Sequence, residues 1–223
     1  QEVESARQWR PMMKRKTPVS RPAWIGALGA LVTLGVFLAT TGVAGQETDS
    51  DSKRQQAKAI ELKGVSNLYQ VSDDLYRSAQ PTKEGMANLS RLGVKTILSL
   101  RYYHSDRSKI SDTGLAYERI PMNAHHAEYE DIVRFLKIVT NPKRTPVLVH
   151  CKHGSDRTGL AVAVYRIVVQ GWTKEEAIQE MTKGGFGFHK IFTGLPEFVR
   201  ELDVEKLKKD AGLTATPPRN KKK

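Results

Sequence analysis

The stretch Pro146-Val-Leu-Val-His-Cys-Lys-His-Gly-Ser-Asp-Arg-Thr-Gly159 decides the fold. Its first half is a short apolar run ending at His150, the pattern of a central parallel strand covered on both faces. A polar loop follows and closes on Arg157. Leu160 to Val169 then reads as a strongly apolar helix that Gly171 ends. The order is strand, loop, helix. In open α/β sheets ligands bind beyond the carboxyl ends of the strands, and Cys151 falls at such an end.

The loop holds the parts that phosphate-ester hydrolysis needs. Cys151 is the expected nucleophile. A free thiol, with a pKa near ~8.5, is mostly protonated at neutral pH, and a helix N-terminus or a guanidinium lowers that value. The following helix aims its dipole at the loop, and Arg157 adds a full charge. Lys152, His153, Gly154, Ser155, Asp156 and Arg157 form a segment that can curl so that successive N–H groups point at one phosphate. Gly154 permits a turn where a side chain would clash. Arg157 offers a planar fork for two phosphate oxygens, which Lys cannot imitate. The Thr158 hydroxyl is placed to donate to the thiolate or to assist breakdown of a cysteinyl-phosphate. His150 is expected to order the loop from behind. A lone cysteine is ordinarily a small core residue; six features that coincide around this one argue otherwise.

Outward from the loop, strand and helix patterns alternate. Asn67 to Val71 and Asp74 to Ser78 alternate apolar and polar residues around Ser72-Asp73, which suggests a hairpin. Thr82 is an N-cap for a helix to about Leu92, with Gly93 after it. Val94 to Leu100 is a strand, Arg101 to Thr113 is irregular with one helical turn, and Leu115 to Met122 is another strand. Apolar residues from Glu128 to Thr140 recur at helical spacing. Thr173 opens a capped helix through Met181. Gly184 to Gly187 is a turn, and Leu195 to Lys209 is one last amphipathic helix. The fold class is therefore α/β, with a central, mostly parallel sheet flanked by helices.

The ends differ from this middle. Formal net charge is +12, but residues 1–24 hold six Lys/Arg against two Glu, and residues 214–223 hold four unopposed cations. Most of the charge thus sits in two tails. No nucleic-acid motif accompanies it, and no nucleic-acid partner is expected. Residues 1–22 are a basic N-terminal region. Residues 23–45 are a hydrophobic helix, either a signal-anchor or a cleaved signal peptide: a bilayer takes roughly 20 apolar residues, and a basic flank with a small-residue end also describes a secretory signal. Positive residues stay in the cytoplasm, so the remainder is exported. It is membrane-anchored through the N-terminal segment, or periplasmic or secreted if the segment is cleaved. Residues 46–58 are a polar linker, 59–213 the catalytic domain and 214–223 a disordered basic tail. With a single cysteine the chain forms no intrachain disulfide.

His150-Cys-x5-Arg-Thr-Gly159 resembles the active-site motif of the cysteine-dependent protein tyrosine and dual-specificity phosphatases. Leu75-Tyr-Arg-Ser-Ala-Gln-Pro81 and Leu92 to Arg101 are similar to the entry to the compact atypical dual-specificity phosphatases of plants and fungi and their bacterial relatives. The resemblance covers roughly residues 60–205. It implies a dual-specificity-phosphatase-like fold and phosphomonoester hydrolysis through a cysteinyl-phosphate, with no metal and no organic cofactor. Substrates in these families are phosphoproteins, inositol phosphates or phosphoinositides.

The superfamily usually carries its general acid as an Asp on a loop upstream of the cysteine. The matching segment, Ile120 to Asp131, has no Asp at that place; Asn123 stands near it. Glu128, Glu130 and Asp131 suit the acidic first turn of a helix. Asp156 is the leading candidate for the acid, because myotubularin-like lipid phosphatases resemble this loop in having an Asp immediately before the Arg. The alternatives are His125, His126 or an acid from elsewhere in the chain. The histidines match no metal-ligand spacing. Lys152, His153, Lys183, His189 and Lys190 surround the loop with positive charge and favour a multiply charged substrate. Two other classes share a cysteine loop: an inactive phosphate-binding module, which intact Cys151 and Arg157 disfavour, and sulfurtransferases or arsenate reductases, which usually have a shorter cradle or further cysteines.

Overall fold

In chain order the strands are β1 (Lys58–Ala59), β2 (Tyr69–Gln70), β3 (Leu75–Ser78), β4 (Thr96–Ser99), β5 (Ala116–Arg119) and β6 (Val147–His150). The helices are α1 (Lys83–Arg91), α2 (Arg107–Ile110), α3 (Tyr129–Val139), α4 (Asp156–Val168), α5 (Lys174–Lys183), α6 (Gly194–Glu201) and α7 (Val204–Asp210). The computed structural model describes residues 54–214. The basic N-terminal region, the hydrophobic segment 23–45 and the basic tail beyond Thr214 lie outside the described residues. Among the described residues no helix is long and apolar enough to cross a membrane.

The sheet order is β1-β2-β3-β6-β4-β5. Strands β3, β6, β4 and β5 run parallel, while β1 and β2 add an antiparallel edge. The sheet is thus mixed, with a parallel core. Alternation across the pleat sends neighbouring side chains to opposite faces. Val147 and Val149 enter one core with Leu98, Leu100, Phe135 and Leu160. Leu148 enters the other, with Ile97, Met86 and Leu89. Strand β6 is buried on both faces, which is why its sequence is continuously apolar.

Helix α4 carries the apolar run after the loop. Nearly all of its residues are buried, because α3, α5, α6 and α7 pack around it; a helix apolar on all sides requires such cover. Arg166 of α4 forms a bidentate pair with Glu180 of α5 at 2.9 and 2.6 Å. Local chemistry sets the ends of the other helices. The Thr82 hydroxyl accepts from Gly85 N, and Thr173 with Glu176 forms a complete capping box.

Three boundaries differ from expectation. Helix α4 starts at Asp156, so Arg157 and Thr158 lie in its first turn. The last helix is two: Leu202 leaves helical geometry (ψ 126°), and the Asp203 side chain accepts from Lys206 N to start α7. The domain also reaches into the expected linker, since Arg54 bonds Glu176 and the Gly171 carbonyl and β1 begins at Lys58.

Candidate active site

Cys151 follows β6 directly and is 2% exposed. The chain then turns at Gly154, which has φ 75°. A Cβ there would lie 2.6 Å from Ser78 and Ala79 backbone atoms, so glycine is required by both conformation and contact. Among the described residues, the backbone amides of Lys152 to Ser155 donate to no backbone acceptor. Arg157 donates through one nitrogen to the carbonyls of Leu100 and Met122 at 3.4 Å. Its Nε is buried without a partner, and so is the Thr158 hydroxyl. Buried polar groups in folded proteins are almost always hydrogen-bonded. Unpartnered donors clustered in sequence just after Cys151 are what an anion-binding cradle presents.

The loop is held from behind by Arg77 and Asn67, to which the sequence reading gave no role in the site, together with Ser155. Arg77 of β3 is fully buried. It donates to the Gly154 carbonyl at 2.8 Å and lies 3.7 Å from the Phe186 ring centroid. Burial pulls its guanidinium down to about 10, against the opposing charges of Glu180 and Cys151. Asn67, at φ 54°, bridges the carbonyls of His153 and Phe186, and Ser155 Oγ donates to the Phe186 carbonyl at 2.8 Å. The Gly-rich turn after α5 is thereby clipped onto the loop.

His150 orders the loop from behind, as expected. Its Nδ1 lies 3.2 Å from the Cys151 carbonyl, and its Nε2 lies 3.2 Å from Asp106 Oδ2. Both side chains are buried. Asp106 also accepts from Gln80 at 2.7 Å and pairs with Lys109 at 3.3 Å. Burial alone would raise the Asp106 carboxyl. The contact with His150 and its charge, then Gln80 and Lys109, outweigh that and hold it at about 2.

Asp156 departs from the role of a free acid. Its side chain is only 8% exposed, and both oxygens are engaged by His189. The His189 amide donates to Oδ1 at 2.9 Å, and the ring Nδ1 lies 2.9 Å from Oδ2. The carboxylate is therefore spoken for, while the His189 ring is 49% exposed. His189 lies beside His153, with ring centroids 5.3 Å apart, and Phe192 connects it to His125. This run of rings links the loop to the segment whose Met122 carbonyl holds Arg157. Asn123 accepts from the His125 amide and acts as a turn residue. His126 is paired with Glu128. Glu130 and Asp131 form the acidic first turn of α3. Lys152, Lys183 and Lys190 are exposed. His153 and Asp156 of the loop and the distant His189 bring their ligand atoms within 4.8 Å of one another.

The comparisons with known proteins agree with this geometry. A family model described as a DSP-PTPase phosphatase fused to NAD+ kinase matches residues 52–196. The dual specificity protein phosphatase TpbA of Pseudomonas aeruginosa is 38% identical over 187 residues, covering 83% of this chain and 84% of TpbA. Its crystal structure superposes with a TM-score of 0.64 over 72% of this chain and 98% of that one. The catalytic core of the yeast phosphatase SIW14, solved with citrate, gives a TM-score of 0.59 at 26% identity, over 68% of this chain and 94% of that one. The chain belongs to the atypical dual-specificity protein phosphatases and is a cysteine-dependent phosphatase.

Proposed function

We propose that the chain hydrolyses phosphotyrosine-type monoesters outside the cytoplasm, with His189, held by Asp156, as the general acid. The single observation that carries the chemistry is the set of unpartnered donors around Cys151: the loop amides, Arg157 Nε and the Thr158 hydroxyl. The phosphoryl group sits in the cradle, with its oxygens on the amides and on Arg157. The Cys151 thiolate attacks phosphorus, an S–P bond forms, and the bond to the leaving oxygen breaks. That oxygen takes the proton of His189 Nε2, the ring nitrogen turned away from Asp156. Water then attacks the cysteinyl-phosphate and gives a proton to the now neutral His189, releasing phosphate. Thr158 donates to the departing sulfur.

The phosphotyrosine assignment is supported by TpbA, solved in complex with pTyr at 36% identity. A second class is favoured by a different observation. Lys152, His153 and Lys190 are exposed beside the cradle, and SIW14, named an inositol diphosphatase, is 28% identical over 72% of this chain. Location outside the cytoplasm rests on the uncharged run Pro22 to Gln46 behind its basic flank, which serves as an anchor or a cleaved signal.

The test is phosphate release from p-nitrophenyl phosphate, phosphotyrosine peptides and an inositol diphosphate, with Cys151→Ser as control. Turnover that Cys151→Ser abolishes is expected, with the peptides preferred. Turnover unchanged in Cys151→Ser refutes the mechanism, and preference for the inositol diphosphate reassigns the substrate.

A further inference from the structure

His153, Asp156 and His189 converge although their spacing in sequence matches no metal motif. Two are imidazoles and one is a carboxylate, and their ligand atoms all lie within 4.8 Å of one another. Around a single zinc, at bond lengths near ~2.1 Å, tetrahedral ligand atoms stand about 3.4 Å apart. The Asp156–His189 pair is already at 2.9 Å. His153 therefore has the most distance to close, and its exposed side chain is free to change rotamer. Asp156 is anchored in the first turn of α4 and further fixed by the His189 amide, so one ligand is preorganised. The fourth position is left to water or a substrate oxygen, as in open zinc sites.

We propose that this triad is a transition-metal site at the rim of the cradle, and that its occupancy inhibits the enzyme. Its chemistry selects among cations. Imidazole suits zinc, copper, nickel and cobalt, whereas magnesium and calcium prefer sites made wholly of oxygen. The neighbouring charges of Arg157 and Lys152 oppose every cation, and only ligands that bind transition metals strongly overcome that. Inhibition rests on the assignment of His189 as the acid, because a metal on its ring takes the place of its link to Asp156 and fixes the imidazole. Metal binding itself does not rest on that assignment.

The experiment uses the full chain carrying Cys151→Ser, which keeps the triad and removes the thiolate as a competing ligand. Cobalt(II) is titrated and its visible absorption followed, then zinc is added to displace it. One saturable site is expected, insensitive to excess magnesium. His153→Ala and His189→Ala, both at exposed side chains, each weaken it by more than about tenfold, the least that loss of even an outer-shell partner ordinarily costs. Three outcomes overturn the proposal: no saturable binding, affinity that either variant leaves unchanged, or binding that wild type shows and Cys151→Ser lacks. Turnover of p-nitrophenyl phosphate by chelator-treated wild type decides the phosphatase assignment separately.

Discussion

Two His–Asp pairs flank the catalytic loop, and they differ in one property. Behind the loop, His150 and Asp106 are both sealed from solvent, at 0% and 1% side-chain exposure. In front of it, Asp156 is nearly as buried, but His189 is half open. The rear pair is also tied at both ends: His150 reaches the Cys151 carbonyl, and Asp106 reaches Gln80 and Lys109. The front pair ends in a free ring nitrogen. The same chemistry thus serves two purposes. A sealed pair fixes the position of the backbone that carries the nucleophile, while a pair with one open face can exchange a proton with substrate. On the proposed assignment of the acid, burial rather than residue type separates the structural pair from the one that exchanges protons.

The comparison breaks most sharply at Asp106. Removing one member of a buried charged pair costs about 3–5 kcal/mol, since the partner stays buried without compensation. Asp106→Ala is expected to lose that much stability in urea denaturation, and to lose activity by loosening the loop. Asp156→Ala is expected to cost only about 1 kcal/mol, because the partner it leaves, His189, is half open to solvent and is not stranded as a buried charge. Equal losses at the two sites would erase the distinction.

The front pair is tested by leaving-group dependence. Positioned general acids contribute typically 10²–10⁴-fold, and only where the leaving oxygen needs a proton. His189→Ala is expected to lower kcat about 100-fold on phenyl phosphate and far less on p-nitrophenyl phosphate, whose leaving group departs unaided. A uniform loss on both substrates would assign His189 to positioning. Loss in His125→Ala instead would move the acid to the upstream loop.

Most of the scaffold was legible in the sequence. The apolar run at β6, the Thr82 and Thr173 caps and the alternation in β2 and β3 each obey local rules, and the elements formed where those rules pointed. The failures have one cause, contact between distant segments. Asp156 and His189 are 33 positions apart, and nothing in either neighbourhood announces the other. Arg77 reads as an ordinary polar strand residue, yet folding places it under Gly154. The break between α6 and α7 was hidden because apolar spacing continues through it, although Asp203 is an N-cap residue and was the available clue. Cys151, Arg157 and the glycine between them were legible because a cradle is local: its parts must be neighbours in sequence to be neighbours in space.

A smaller effect than loss of the rear pair is expected from its acid titration. The Asp106 carboxyl is held at about 2, below its ordinary 3.8. A carboxyl depressed in the folded state stabilises the protein fully above its unfolded value, and that contribution is lost as pH falls toward the folded value. At about 1.4 kcal/mol per pH unit, Asp106 contributes about 2 kcal/mol, present above roughly pH 5 and mostly gone near pH 2. Asp106→Asn keeps the size of the side chain and removes the titration. The stability gap between wild type and Asp106→Asn is therefore expected to narrow by about 2 kcal/mol on acidification through that window, measured by urea denaturation at a series of pH values. A gap that stays constant down to pH 3 would mean that His150 and Lys109 do not hold Asp106 charged, and that the rear pair keeps the loop in place by packing alone.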